Sequence, residues 1–196
     1  VAVSMNPGSR FYMMGYFYRC YRLYEEAARS YRMFLISEEG NLSAMMQLGN
    51  CLVDSGNLDE GLEYYEKVIA VNIDFYDIAG RTAFYYKKLY DDVGIRKYIY
   101  RAAELAKHAV EGEEDNAFDM LTYAKCLCDI GEYEEAVERL KLLFDIDKMR
   151  IEARRICGQC LRALGRFDEA VEVLREGIGL LEPGEDDNYL YGELIR

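Results

Sequence analysis

The chain has 196 residues, with 24 Lys and Arg against 36 Asp and Glu and a formal charge of −12. That field opposes non-specific binding to nucleic acid or anionic membranes, which both need positive charge, and a 51% hydrophobic composition excludes a disordered acidic tail. Proline occurs only at Pro7 and Pro183, no apolar run is long enough to cross a membrane, and VAVSMNPGSR is no secretory leader, so a long helical, cytoplasmic protein is expected.

Along the chain, residues 1–7 read as the tail of a preceding second helix. A single array of five two-helix units then follows, at 8–41, 42–75, 76–116, 117–150 and 151–184. The second helices open with related segments: GNLDEGLEYYEKV at 56–68, GEYEEAVERLKLL at 131–143, GRFDEAVEVLREG at 165–177 and a weaker copy, RLYEEAARSYRMF, at 22–34. Gly15, Gly49, Ala83, Ala124, Gly158 and Gly192 form a column of small residues with spacings of 34, 34, 41, 34 and 34. Ala27, Gly61, Ala136 and Ala170 form a second. Small residues in register let paired helices approach closely, and stacked pairs bury faces that one pair leaves open. Paired acids such as Asp59-Glu60 and Glu134-Glu135 suit the positive end of a helix dipole. Gly56, Gly131 and Gly165 stand where a left-handed residue would end the first helix. The third unit is seven residues longer and irregular; because Ile99 and Ala102 still fit its second-helix core, the additional residues are expected after Ala102. Residues 185–196 read as a capping helix or the start of a sixth repeat.

The 34-residue period, with Leu48-Gly49, Ala27, Tyr31, Ala136 and Ala170 at its marked positions, resembles the tetratricopeptide repeat family. The chain departs from the family pattern in having no Trp and almost no late Pro. The resemblance implies an all-α fold, a right-handed α-α superhelix of stacked antiparallel helix pairs. It also implies a protein–protein interaction scaffold whose first helices line a concave groove.

No constellation for bond chemistry stands out, and neither an enzyme nor a cofactor is expected. Cys157-x-x-Cys160 lacks the strand–helix setting of a redox motif and the four converging ligands of a zinc site. Cys51, Cys126 and Cys160 instead share one column, as small buried residues packed between helices do. His108 has no partner identifiable from spacing and reads as a solvated residue on a long helix. No phosphate-binding glycine motif occurs. Most aromatic residues fall in core columns, so base stacking is not expected either.

The resemblance points to three inward columns on the first helices. They are Tyr12, Met46, Gly80, Leu121, Arg155; Tyr16, Asn50, Phe84, Lys125, Gln159; and Arg19, Val53, Lys87, Cys128, Arg162. These fifteen positions hold five basic residues and no acid, although flanking columns add Asp54, Asp77, Asp129 and Glu152 against Lys88. The expected groove has a floor of Tyr12, Tyr16, Met46 and Phe84, with Lys87, Lys125, Arg155 and Arg162 supplying charge. Its expected partner is a protein or peptide segment with apolar anchors and acidic residues. The family's clamp for a C-terminal carboxylate is only partly matched: Arg81 fits, but Tyr12, Tyr16 and Asp77 replace other members. Two further readings stay open: a regulatory or targeting segment of a larger enzyme or secretion-system protein, and a self-associating module.

Overall fold

The computed structural model describes residues 7–112, 116–146 and 150–181. Ten α-helices and no strand occur among them: α1 Pro7–Cys20, α2 Tyr24–Ser37, α3 Leu42–Asp54, α4 Leu58–Val71, α5 Ile78–Val93, α6 Arg96–Gly112, α7 Ala117–Ile130, α8 Tyr133–Lys141, α9 Arg150–Ala163 and α10 Phe167–Gly179. The expected tail at the N-terminus, up to residue 6, and the expected capping helix at 185–196 lie outside the described residues. The chain divides within α5 into two compact units, 1–85 and 86–196. Each is a stack of antiparallel helix pairs, as the repeat pattern requires.

Four of the five first helices end in the same way. The N–H of Leu23, Asn57, Glu132 and Arg166 donates to the carbonyl five residues back, at 2.8–2.9 Å. The residue before each has positive φ: Arg22 at 59°, Gly56 at 90°, Gly131 at 94° and Gly165 at 74°. This is the Schellman cap, which satisfies carbonyls the helix leaves open. Glycine takes the conformation without steric cost; Arg22 takes it at a cost of roughly 1 kcal/mol or more.

The fifth first helix differs. In α5 the terminator is Gly94, φ 67°, which donates to the Tyr90 carbonyl in a single bond four residues back. Gly94 lies eleven residues beyond Ala83, whereas Gly56, Gly131 and Gly165 lie seven beyond their column partners Gly49, Ala124 and Gly158. Four of the seven additional residues therefore form one more turn of α5. The remaining three lie between Ile99 and Asn116, the cap of α7. The expectation that all seven follow Ala102 is thus corrected: Gly94, not the in-register Tyr90, stops the helix.

In unit 1, Ala27, Ala28, Tyr31, Leu48, Cys51 and Leu52 form a buried cluster bordered by Tyr12, Tyr18, Leu35 and Tyr64. The small column exists because a large residue on the paired helix lies over it. A Cβ on Gly15 would come within 2.9 Å of the Tyr31 ring, and one on Gly49 within 2.6 Å of the Tyr65 ring. In unit 2, Gly158 takes the same place beneath Leu174, at 2.6 Å. There Ile99, Ala102, Ala103 and Cys126 cluster with Tyr86, Tyr90 and Ile130, and Tyr86 stacks on Tyr98 at 5.9 Å. Asn41 and Asn116 cap α3 and α7, each side-chain oxygen accepting from backbone N–H groups of the first turn.

Candidate peptide-binding face

In unit 1 the first-helix columns lie on α1, α3 and the opening turns of α5. Asn50 of α3 is 8% exposed and sits at the centre of a polar network. Its Oδ1 accepts from the Tyr65 hydroxyl at 2.7 Å and from Arg81 Nη1 at 3.3 Å. Arg81 Nη2 in turn donates to Asp77 at 2.7 Å. Burial works against the Arg81 charge, but the Asp77 hydrogen bond and charge outweigh it and raise its pKa. Burial likewise pushes the Tyr65 hydroxyl up, so it stays protonated and donates. Tyr65 also stacks on Tyr85 at 6.1 Å, and Tyr85 meets Phe84 edge-on at 5.2 Å. The Nε atoms of Arg19 and Arg81 are buried without a hydrogen-bond partner among the described residues.

The apolar floor is narrower than expected. Phe84 and Tyr16 are exposed, at 37% and 47%. Tyr12 instead turns into the pair, edge-on to Tyr31 and Phe34 at 5.4 and 5.2 Å. Met46 and, in unit 2, Leu121 are buried as core residues. The physical reason is helix periodicity: the Tyr12 column borders the paired-helix contact, so its large apolar members are drawn inward.

In unit 2 the columns run over the last turns of α5, then α7 and α9. Lys87 is only 13% exposed and is held between Asp91 and Asp129, the latter at 2.9 Å. Lys125 pairs with Glu152 at 2.7 Å. Acids of the flanking columns therefore neutralise two of the expected cations. Arg155, Gln159 and Arg162 are half-buried. Arg154, outside every column read from the sequence, donates to the Phe144 carbonyl at 2.9 Å and places its guanidinium 4.2 Å from the Phe144 ring centre. Nothing in the repeat register singled out Arg154 in the sequence.

The six cysteines are free thiols, and Cys51, Cys126 and Cys160 are buried in one column, as expected from their register. Burial pushes the Cys51 thiol up to about 11 and those of Cys126 and Cys157 up to about 12. His108 lies half-buried on α6 rather than fully solvated. Among the described residues no group of His, Cys, Asp and Glu could hold a metal ion, and no helix is long and apolar enough to cross a membrane.

Residues 96–177 match the family described as anaphase-promoting complex, cyclosome, subunit 3, and residues 42–72 match the tetratricopeptide repeat. No curated protein sequence matches the chain. Among solved structures it is similar to YrrB, a TPR protein with an unusual peptide-binding site: 18% identity, 93% of this chain and 89% of that chain covered, TM-score 0.82. It is also similar to MamA, at 17% identity, 88% and 90% coverage and TM-score 0.78. For MamA 41-end from Desulfovibrio magneticus RS-1 the values are 16%, 90% and 97%, and 0.76. At these identities the structural likeness carries the fold alone, an all-α solenoid of helix pairs. The recurring caps, the small-residue columns and the two family matches mark the chain as an array of tetratricopeptide-type repeats.

Proposed function

We propose that this tetratricopeptide scaffold binds a protein or peptide segment on a first-helix face, and that the first helices of unit 1 form the anchoring site. The observation that carries the reading is the network of Asn50, Arg81, Asp77 and Tyr65 beside exposed Phe84. A buried amide with its oxygen fully engaged keeps its NH2 group for an acceptor; here that group has only a 3.5 Å contact to Gln47. Arg81, held by Asn50 and Asp77, adds positive charge and N–H groups to the network. Such donors suit the carbonyls and carboxylates of an extended segment, while Phe84 and Tyr16 accept its apolar side chains. Taken by itself, unit 2 carries the half-buried Arg155 on α9, which would favour acidic residues, while the paired Lys87 and Lys125 contribute less than their number suggests.

The match over 96–177 to a family described as a complex subunit favours a second reading, in which the chain is the docking segment of a larger assembly. The test is to select peptides from a displayed library on the full chain and measure the best by fluorescence anisotropy. Phe84→Ala and Asn50→Ala should each weaken binding at least about tenfold, a loss of roughly 1.4 kcal/mol. Lys125→Glu with Arg155→Glu should flatten the salt dependence, and Lys107→Ala on α6 should change nothing. Unchanged affinity for the Phe84 and Asn50 variants, with helicity intact, removes the proposal.

A further inference from the structure

Cys128 on α7 and Cys160 on α9 belong to successive first helices of unit 2 and stand 32 residues apart in sequence. Their Sγ atoms are 2.7 Å apart, one thiol donating its proton to the other. That lies well inside the separation at which unbonded heavy atoms rest. A further approach of about 0.7 Å would bring the pair to disulfide length. We propose that Cys128 and Cys160 form a dithiol site that hydroperoxides oxidise to a disulfide, clasping α7 to α9.

The other cysteines do not share this setting. Cys157 and Cys160 are three apart on one helix, where Cβ atoms are about 5–6 Å apart. A disulfide needs about 3.5–4.5 Å, so that pair closes only if α9 unwinds. Cys126 and Cys51 are fully buried. Cys20 is exposed on α1 and has no thiol partner in unit 1 within bonding reach among the described contacts. Cys128 is the partly exposed member of its pair, so it is the sulfur that an oxidant reaches. The hydrogen bond from Cys128 favours negative charge on Cys160, lowering its pKa and raising that of Cys128. Cys160 is therefore the thiolate of the resting pair, and the proton shared between the two sulfurs must pass to it before Cys128 can react.

The step balances as follows. The pair first loses one proton to solvent, leaving a thiolate on Cys160, which then takes the remaining proton from Cys128. The Cys128 thiolate attacks one peroxide oxygen; the S–O bond forms, the O–O bond breaks and hydroxide leaves, giving a sulfenic acid. That hydroxide removes the proton from Cys160 as water. The Cys160 thiolate attacks the Cys128 sulfur; the S–S bond forms, the S–O bond breaks and the second hydroxide takes up the solvent proton. Two thiols and one hydrogen peroxide give one disulfide and two waters.

The test uses the full chain with Cys20→Ser, to keep exposed thiols from linking two molecules. It is treated with graded hydrogen peroxide, the remaining thiols are alkylated, and the peptides are read by mass spectrometry. The expected product is one Cys128–Cys160 disulfide, with Cys51, Cys126 and Cys157 alkylated after denaturation. Melting should rise by roughly 5–10 °C and fall back with dithiothreitol, because a closed loop restricts the unfolded chain. Cys128→Ser and, separately, Cys160→Ala should abolish both the linkage and the shift. A Cys157–Cys160 linkage, sulfinic acid at Cys128 without a disulfide, or no linkage at peroxide levels that oxidise free cysteine overturns the proposal. So does a melting shift that survives in both variants.

Discussion

The two units place the same first-helix column in different chemistry, and the residue across the helix pair decides which. In unit 1, Tyr65 lies over Gly49 and its hydroxyl reaches Asn50, the next residue along, which is drawn inward and joined by Arg81. In unit 2, Leu174 lies over Gly158 and has no polar tip, so Gln159, the residue corresponding to Asn50, receives no hydroxyl from it. Lys125 of the same column turns to Glu152 on the next first helix. A tyrosine in the second helix thus makes a column position an internal polar anchor; a leucine has no hydroxyl to offer it. The first pair of unit 1 is the intermediate case. Tyr31 lies over Gly15, but its column neighbour is Tyr16, and the Tyr31 hydroxyl is buried without a partner among the described residues.

Removing the tyrosine should break the comparison most severely. Tyr65→Ala empties a fully buried ring site and strips Asn50 of its donor. A loss of about 3–5 kcal/mol is expected for the cavity alone. Tyr65→Phe should lose only about 1 kcal/mol, the hydrogen bond without the ring. Urea unfolding of the two variants separates the contributions; equal losses would mean that the hydroxyl, not packing, dominates this position.

Converting the intermediate case should sharpen it. Tyr16→Asn would set an amide beside the Tyr31 hydroxyl, as Asn50 stands beside that of Tyr65. Satisfying a buried hydroxyl is worth roughly 1 kcal/mol, and Tyr16 is exposed enough that little packing is lost. The variant should unfold at higher urea than the parent chain. A decrease would show that proximity to the small residue does not by itself bring the two groups together.

The repeat was legible in the sequence because its physical requirement recurs: a ring or leucine on one helix needs a glycine or alanine beneath it, at the same place in each unit. The burial of Cys51, Cys126 and Cys160 follows from the same register. The ending of α5 was less legible, since Tyr90, Asp91, Asp92 and Val93 can continue a helix as well as leave one. The readable signal there was Gly94, the first residue free to take positive φ. The groove charge was the least legible feature. A column sums the cations on one face, but whether a cation is free depends on acids brought beside it from another helix. Lys87 and Asp129 are 42 residues apart, and only the packing of α5 on α7 brings them to 2.9 Å.

That bridge yields the smallest and most specific effect. Lys87 is nearly enclosed and holds two carboxylates, Asp91 on its own helix and Asp129 on α7. Burial alone would lower its pKa, yet the two hydrogen-bonded acids raise it, so the cation is secured twice. Asp129→Asn removes the inter-helix partner and leaves Asp91 to satisfy the charge. Asp129 is itself about one-third exposed, so screening limits the loss to about 0.5–1 kcal/mol. In unit 1, Asp77→Asn disturbs a bridge to Arg81 four residues away, with both side chains more exposed; its cost should be about 0.3–0.5 kcal/mol. Urea midpoints of both variants at low and high salt test the ordering. The Asp129 deficit should persist at high salt because its lysine is shielded from solvent, whereas the Asp77 deficit should shrink. Were both to vanish together, the cations of unit 2 would be as free as those of any solvated helix, and the contrast between the two faces would fail on its ionic side.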